Sequence, residues 1–171
     1  KLKRMRNLEV AEIVDQVALI DKQSKLYFDR PLSNIVFMGM GEPMMNYKNV
    51  VDAIKKITDE DGLGMSARRI TVSTSGIPKM MRMLADENLK VKLALSLHSA
   101  IEHKRNEIMP FSTKFPLTEI MEAMQYWYSK TENRITFEYC VWKGINDGDE
   151  DIKALIKYCR QVPCKVNLIQ Y

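Results

Sequence analysis

Three short polar segments carry residue types that could hold a small charged ligand. In Gly39-Met-Gly41-Glu42-Pro43 the glycines permit backbone turns that other residues avoid, and the Glu42 carboxylate, which only accepts hydrogen bonds, suits an ammonium group. Hydroxyl groups in Ser73-Thr-Ser-Gly76 could contact a carboxylate or a ribose, or could equally cap the next helix, and Ser96-Leu97-His98 adds a hydroxyl and an imidazole. Taken singly, each segment also fits an ordinary turn, and a lone histidine at a strand end is more often structural than a ligand or base.

Each of these segments follows a run of apolar residues that predicts a buried strand. Such runs alternate along the chain with apolar residues at helical spacing, and Asn7 is the expected N-cap of the first helix. The predicted strands are Asn34–Met38, Arg69–Ser73, Lys92–Leu97, Ile135–Val141 and Lys165–Ile169. The five predicted helices cover residues 8–20, 50–57, 79–86, 117–127 and 152–158.

This alternation predicts the fold class α/β, a parallel sheet with right-handed crossovers and outer helices. Because ligands of such folds gather at the carboxyl ends of the strands, the three polar segments are expected at one edge of the sheet. A protein carboxylate could bind an amine of the ligand, and protein hydroxyls could bind its carboxylate or ribose. This combination suits a nucleoside that carries an amino acid. Two further features have structural interpretations: Glu138 in mid-strand predicts an ion pair, and Gly144–Asp147 an Asx-type turn.

The composition is that of a single globular domain over residues 1–171. Lys and Arg outnumber Asp and Glu by 26 to 22, and the resulting net charge of +4 permits nucleic-acid binding without demonstrating it. No apolar run approaches the roughly 20 residues that span a bilayer, so no membrane association is expected. The cysteines, three in number with no CxxC pair, are expected to be small buried residues of a protein in the reducing cytoplasm.

Several longer strings carry a resemblance to a known family. The chain resembles the RlmN-type radical S-adenosylmethionine (SAM) methyltransferases, which methylate C2 of adenosine in 23S ribosomal RNA and in some transfer RNAs. The similarity runs from Arg6 to Tyr171, with motifs in the same order and at the same spacings. These motifs are Val36-Phe-Met-Gly-Met-Gly-Glu-Pro43, Arg68-Arg-Ile-Thr-Val-Ser-Thr-Ser-Gly76, Leu95-Ser-Leu-His98, Gly144-Ile-Asn-Asp-Gly148 and Pro163-Cys-Lys-Val-Asn-Leu-Ile169.

The resemblance implies a partial (β/α)6 radical SAM barrel and a set of SAM-binding residues. Gly41 and Glu42 would meet the amino end of SAM, and Ser73 would contact SAM from the second strand. The segment Ser96-Leu97-His98 would contact it from the third. The Gly-Glu-Pro and Ser-Thr-Ser-Gly strings favour the C2 enzymes over the related Cfr-type C8 methyltransferases, which tend to carry Gly-Glu-Ala.

The chain also departs from the family pattern. The family holds a [4Fe–4S] cluster with a CxxxCxxC loop before the first helix seen here, and carries a methyl group on a cysteine beyond the last strand. None of Cys140, Cys159 and Cys164 matches those positions, so the resemblance places no catalytic and no metal-binding residue within this chain. We therefore expect a core truncated at both ends, lacking the first strand, inactive alone, and prone to self-association through an unpaired edge.

The resemblance further implies a reaction and partners for the longer protein. Reductive cleavage of SAM would give a radical that abstracts hydrogen from a cysteine-bound methyl group, whose carbon adds to adenine. The partners would be 23S ribosomal RNA, transfer RNA and an electron donor such as flavodoxin. The alternatives are a Cfr-type C8 enzyme, a radical SAM enzyme acting on peptides or small molecules, and a non-catalytic nucleotide- or RNA-binding module.

Overall fold

The computed structural model describes residues 6–38 and 40–170. In that part of the chain, the helices and strands follow in the order α1 (Val10–Phe28), β1 (Ile35–Phe37), α2 (Tyr47–Thr58), β2 (Ile70–Thr74), α3 (Pro78–Asp86), β3 (Lys92–Ser96), α4 (Glu102–Ile108), α5 (Leu117–Thr131), β4 (Ile135–Val141), α6 (Asp149–Cys159) and β5 (Cys164–Gln170). Short 3-10 helices lie at Pro43–Asn46, Ala67–Arg69 and Pro110–Lys114.

The five strands form one sheet in the order β1-β2-β3-β4-β5. The strands of the pairs β1–β2, β3–β4 and β4–β5 run parallel, with Ile35 opposite Ile70, Ala94 opposite Thr136, and Thr136 opposite Lys165. Parallel neighbours need a crossover between them, and each crossover here contains a helix. The predicted α/β class with a parallel sheet is confirmed.

By its internal packing the chain divides into two compact units. The first unit runs to Val72 and includes Leu89–Lys92, and the second contains Ser73–Asn88 and the chain from Leu93 onward. In the first unit α1 packs on α2, which buries Val51, Ile54 and Ile57 completely or nearly so. In the second unit α3 packs on α5, whose Ile120 and Trp127 are buried with Leu95 of β3.

The start of α1 differs from the sequence-based prediction. The N-cap is Glu9 rather than Asn7, and its backbone N–H donates to the Glu12 carboxylate at 2.8 Å. Arg6 also pairs with Glu12, which lowers the pKa of that carboxyl to about 2 through hydrogen bonding first and charge second. The N-cap of α1 therefore lies two residues after Asn7, because the Glu12 side chain in the first turn accepts the hydrogen bond of the Glu9 backbone N–H.

One helix, α4, was not predicted from the sequence, which indicated five helices. Its residues, Glu-His-Lys-Arg-Asn-Glu-Ile, lack the repeated apolar positions that mark a helix face. The buried residue of this helix is Arg105, whose side chain occupies the place an apolar residue would normally take. A pattern search based on hydrophobicity misses such a helix for that reason.

Candidate ligand site at the carboxyl ends of the strands

In the first unit, β1 leads into a turn that places a carboxylate beside an open backbone. Gly41 has φ +114°, and a Cβ added there would meet no atom within 4 Å. Glu42 Oε1 accepts a hydrogen bond from the Met44 backbone N–H at 3.0 Å and so caps the 3-10 helix beginning at Pro43. Gly39, the other glycine of the predicted segment, lies outside the described residues.

In the second unit, the hydroxyl-rich segment after β2 forms a turn and does not cap a helix. Ser73 is buried at 4% exposure. Thr74 Oγ1 accepts the Gly76 N–H at 3.0 Å, and α3 begins at Pro78 with Ile77 at its cap and no side-chain cap bond. The helix-capping interpretation of this segment was therefore wrong.

The end of β3 is held by the neighbouring strand β4. The backbone N–H groups of Leu97 and His98 both donate to the Glu138 carbonyl, at 3.0 and 3.2 Å. Leu97 is fully buried, and His98 adopts the left-handed backbone conformation at φ +57°, which is uncommon for residues other than glycine. These contacts fix the direction in which the segment leaves the sheet.

The imidazole of His98 is also fixed. Its Nδ1 accepts the backbone N–H of Cys140 at 3.0 Å, so the ring proton lies on Nε2 in the neutral form. Burial, and secondly the charge of Arg105, lower the pKa of His98 to about 4. The ring packs edge-on against Trp142. His98 is thus a neutral hydrogen-bond donor through Nε2 near neutral pH, as expected of a structural histidine that presents one polar atom.

Asn146 was not identified from the sequence as more than part of a turn. It is buried at 2% exposure, and its amide donates to the carbonyls of His98 at 2.6 Å and Cys140 at 2.8 Å. Its Oδ1 accepts the Trp142 N–H at 2.8 Å. Asn146 therefore ties the loop after β4 to the loop after β3, which the spacing of the Gly144–Asp147 turn alone did not indicate.

The Arg105 side chain forms hydrogen bonds to the backbone at the ends of both β2 and β3. Its Nη2 donates to the carbonyls of Ser75 at 2.5 Å and Ser96 at 3.3 Å. The side chain is fully buried, and Nε and Nη1 have no hydrogen-bond partner among the described residues. Burial lowers the pKa of the guanidinium, and the nearby Glu102 works in the opposite direction. Arg105 thus brings together the carboxyl ends that carry Ser73 and Ser96.

The partner of Glu138 differs from the expected cation. Glu138 is 9% exposed, and its Oε2 accepts a hydrogen bond from Asn167 Nδ2 on β5 at 2.7 Å. Ser96, Glu138 and Asn167 occupy matching positions on three neighbouring strands. The predicted ion pair at Glu138 was wrong, because a neutral amide from the next strand satisfies the carboxylate.

The cysteines are half-buried, which corrects the expectation that they are buried. Burial raises the pKa of the Cys159 thiol to about 12, and it also raises that of Cys164, so neither is a ready thiolate. Within residues 6–38 and 40–170, no group of three His, Cys, Asp or Glu side chains could hold a metal ion. The described residues therefore do not fit an iron–sulfur cluster.

A separate cleft of about 650 Å³ lies between the end of α6 and the start of β5. Ile156, Cys159, Cys164 and Val166 contribute to its wall. None of the candidate ligand residues lines it. In the part of the chain described, no helix is long and apolar enough to cross a bilayer.

Each unit carries polar groups of its own at the ends of its strands. The first unit offers the Glu42 carboxylate for an ammonium group, and the second offers Ser96 and the His98 Nε2–H at strand ends. Parallel α/β sheets commonly bind their ligands at the carboxyl ends of the strands. The Radical SAM superfamily model matches residues 2–159, and the chain belongs to that superfamily, whose members use SAM and a [4Fe–4S] cluster.

Named relatives are similar over the entire chain. The chain is 66% identical to the "Probable dual-specificity RNA methyltransferase RlmN" of Flavobacterium psychrophilum and 65% identical to that of Christiangramia forsetii, over 171 residues and 49% of each relative. A crystal structure of a radical SAM methyltransferase from Sphaerobacter thermophilus superposes with a TM-score of 0.92 at 38% identity, covering 96% of this chain and 48% of the other. The resemblance drawn from the motifs is confirmed, and the chain spans about half the length of these relatives.

Proposed function

We propose that residues 1–171 are the SAM-binding core domain of a radical SAM RNA methyltransferase that methylates C2 of adenosine in 23S ribosomal RNA and transfer RNA. The observation that carries this proposal is the identity of 61–66% over the full chain to three proteins named as dual-specificity RNA methyltransferases. Function is rarely transferable from a fold alone, so the proposal rests on sequence identity over the whole chain and not on the fold.

In the first unit, Gly41 and Glu42 are assigned to the amino end of SAM. The space beside Gly41, where an added Cβ would meet no atom within 4 Å, lets a ligand approach the backbone. The Glu42 carboxylate is already oriented by the Met44 N–H at Oε1. A carboxylate held in this way attracts an ammonium group without reorganising when the ligand arrives.

In the second unit, Ser73 and the segment Ser96-Leu97-His98 are assigned as further SAM contacts. Arg105, Asn146 and the Glu138 carbonyl hold this segment in place, so the backbone at the end of β3 is rigid before ligand binds. The fixed Nε2–H of His98 supplies a donor to an acceptor on the ligand. Preorganised groups of this kind bind without the entropic cost of ordering a loop.

When bound, SAM supplies the methyl group and the radical chemistry, and the residues of this chain bind and orient it. The cluster that activates SAM needs thiolate ligands other than the three cysteines here, so the chain alone is expected to be inactive. The proposed partners are ribosomal and transfer RNA and a one-electron donor such as flavodoxin, in the reducing cytoplasm. No catalytic residue is assigned within the chain.

The experiment uses the full-length protein, reconstituted without oxygen in the presence of iron and sulfide. The protein is incubated with SAM, a reductant and unmodified ribosomal or transfer RNA, and modified nucleosides are identified by mass spectrometry. We expect 2-methyladenosine. Formation of 8-methyladenosine would instead indicate the Cfr-type activity, and no methylated adenosine from a protein with an intact cluster would overturn the assignment.

A further inference from the structure

Two cysteines lie on either side of the short connection between α6 and β5. Cys159 is the last residue of α6, Cys164 is the first residue of β5, and residues 160–163 join them. The Cys164 thiol donates to the Cys159 carbonyl at 3.5 Å. The two thiol groups also form a hydrogen bond with each other. The second unit therefore holds two thiols side by side.

Both thiols belong to the wall of the cleft of about 650 Å³ at this connection. Both cysteines are half-buried, and apolar side chains such as Leu155, Ile156 and Val162 surround them. Of the described residues that line the cleft, none is acidic and one, Arg160, is a cation. A small anionic molecule that enters the cleft therefore meets a positive charge and no carboxylate.

The surroundings of the pair do not stabilise a thiolate. Burial is the main cause that raises the pKa of both thiols, to about 12 at Cys159. Few thiolates form near neutral pH, so the attack of either sulfur on an oxidant is slow. A stabilised thiolate also favours the reduced form of a dithiol. Because neither thiolate is stabilised here, a disulfide between the two sulfur atoms should persist once it has formed.

We propose that Cys159 and Cys164 form a reversible dithiol–disulfide site whose oxidant is a small disulfide such as oxidised glutathione. The site lies apart from the residues assigned to SAM and does not depend on the proposed function. Cys164 is the attacking residue, because burial raises its pKa but the hydrogen bond from Cys159 partly offsets this effect.

The exchange runs in two steps. The Cys164 thiolate attacks one sulfur of oxidised glutathione, which releases one glutathione and leaves a mixed disulfide on Cys164. Cys159 then loses its proton, attacks the Cys164 sulfur and releases the second glutathione. The two cysteines lose two electrons, the small disulfide gains them, and the two thiol protons pass to the released glutathione molecules.

Mass spectrometry of the full-length protein can detect this disulfide specifically. The protein is equilibrated without oxygen in mixtures of reduced and oxidised glutathione, alkylated and digested with trypsin. Trypsin cuts after Lys and Arg, so it separates residues 158–160 from residues 161–165, and the disulfide appears as a linked pair of these peptides. Excess dithiothreitol should release the two peptides.

The linked pair should exceed the mixed disulfides with glutathione by about tenfold at about 1 mM glutathione, because adjacent thiols have an effective concentration on the order of 10 mM. The same ratio measured in denaturing urea gives the contribution of the short intervening chain, and it should be several-fold lower. Cys159→Ser should retain glutathione on Cys164, since the second step is blocked. Cys140→Ser, which removes another half-buried cysteine of the same unit, is the matched control and should leave the ratio unchanged.

Three results would overturn the site. The first is a folded wild-type protein that forms no linked pair at any glutathione ratio. The second is a ratio of linked to mixed disulfides that is no higher in the folded protein than in urea, since the fold would then contribute nothing to the pairing. The third is a disulfide from Cys140 to either cysteine in place of the linked pair.

Discussion

The backbone N–H of Cys140 lies 3.0 Å from Nδ1 of His98 and donates to it across the ends of β4 and β3. This bond decides the tautomer of the histidine, because Nδ1 can accept only when the ring is neutral and carries its proton on Nε2. Asn146 holds the carbonyl of the same histidine at 2.6 Å. His98 is consequently immobilised at both its ring and its backbone.

Replacing His98 should remove a measurable part of the acid sensitivity of the fold. The pKa of His98 is about 4, below the ordinary value of 6.5, chiefly because the ring is buried. Between these values the unfolded chain binds a proton that the folded one does not, so stability falls as the pH drops through this window. At about pH 5, this difference corresponds to about 2 kcal/mol in the free energy of unfolding.

The informative variant is His98→Asn, since asparagine tolerates a left-handed backbone and offers an acceptor oxygen to the Cys140 N–H. Urea unfolding at about pH 7 and pH 5 measures the effect. We expect the variant to lose less stability than the wild type on acidification. His103→Asn, which removes the exposed histidine of α4, should behave as wild type. Equal pH dependence in wild type and His98→Asn would contradict the assignment.

Arg105→Met should raise the pKa of His98, since the charge of Arg105 is one of the two causes that lower it. Burial is the larger cause and persists, so the pKa is expected to remain below its ordinary value. Loss of the bonds to the Ser75 and Ser96 carbonyls should also lower stability by about 1–3 kcal/mol. Titration of the His98 Hε1 signal by NMR measures the first effect, and an unchanged pKa would exclude the coupling.

Gly76→Ala is expected to destabilise the second unit more than the same change at Gly144. Both glycines have positive φ, +97° and +75°, so each substitution strains the backbone by about 1–2 kcal/mol. Only at position 76 would the new Cβ also lie 2.8 Å from Ile120 Cδ1 and 3.1 Å from Leu95 Cδ1. We expect a further cost of about 1–3 kcal/mol from overpacking there. Equal melting temperatures for the two variants would show that Ile120 moves aside freely.

The sheet could be predicted from the sequence because its strands are short apolar runs that differ clearly in period from the helices between them. Predicted Ile135–Val141 and observed β4 coincide, and the others agree to within two residues. The helix α4 could not be predicted, because its buried residue is the charged Arg105 and not an apolar residue. Hydrophobic periodicity carries no information about an element of that kind.

The candidate residues at the strand ends were predictable, but the contacts that fix them were not. Asn146 looked like a turn residue, since its spacing from Gly144 gives no sign that its amide reaches two carbonyls on neighbouring loops. Likewise Glu138 and Asn167 are 29 residues apart, and their pairing depends on the register of two parallel strands. Register follows from side-chain packing across the whole sheet, which local sequence does not specify.

Glu42→Gln should weaken SAM binding by about tenfold if Glu42 meets the amino end of SAM, because it removes the charge while an amide oxygen can still cap Met44. The stability of the protein should therefore change little. Calorimetric titration of the full-length protein with SAM measures the affinity, and Glu60→Gln, on an exposed loop of the same unit, is the control. Unchanged affinity in both Glu42→Gln and Glu42→Ala would remove the central assignment in the first unit.

Self-association of the 171-residue chain is expected to depend on apolar side chains in the first unit. Leu26, Tyr27 and Phe28, at the end of α1, and Val36 of β1 are each more than half exposed, and β1 lies at an edge of the sheet. Exposed apolar surface next to an edge strand favours association with another chain. Light scattering over a concentration series should therefore show a rising mean mass for the wild-type chain.

The double change Leu26→Lys and Val36→Lys should suppress that rise, since it places charge on the apolar surface and on the edge strand. Leu63→Lys, in a loop, is the control and should leave the rise unchanged. A wild-type chain that remains monomeric at every concentration would mean that these side chains carry no association, and that a three-residue edge strand is too short to recruit a partner.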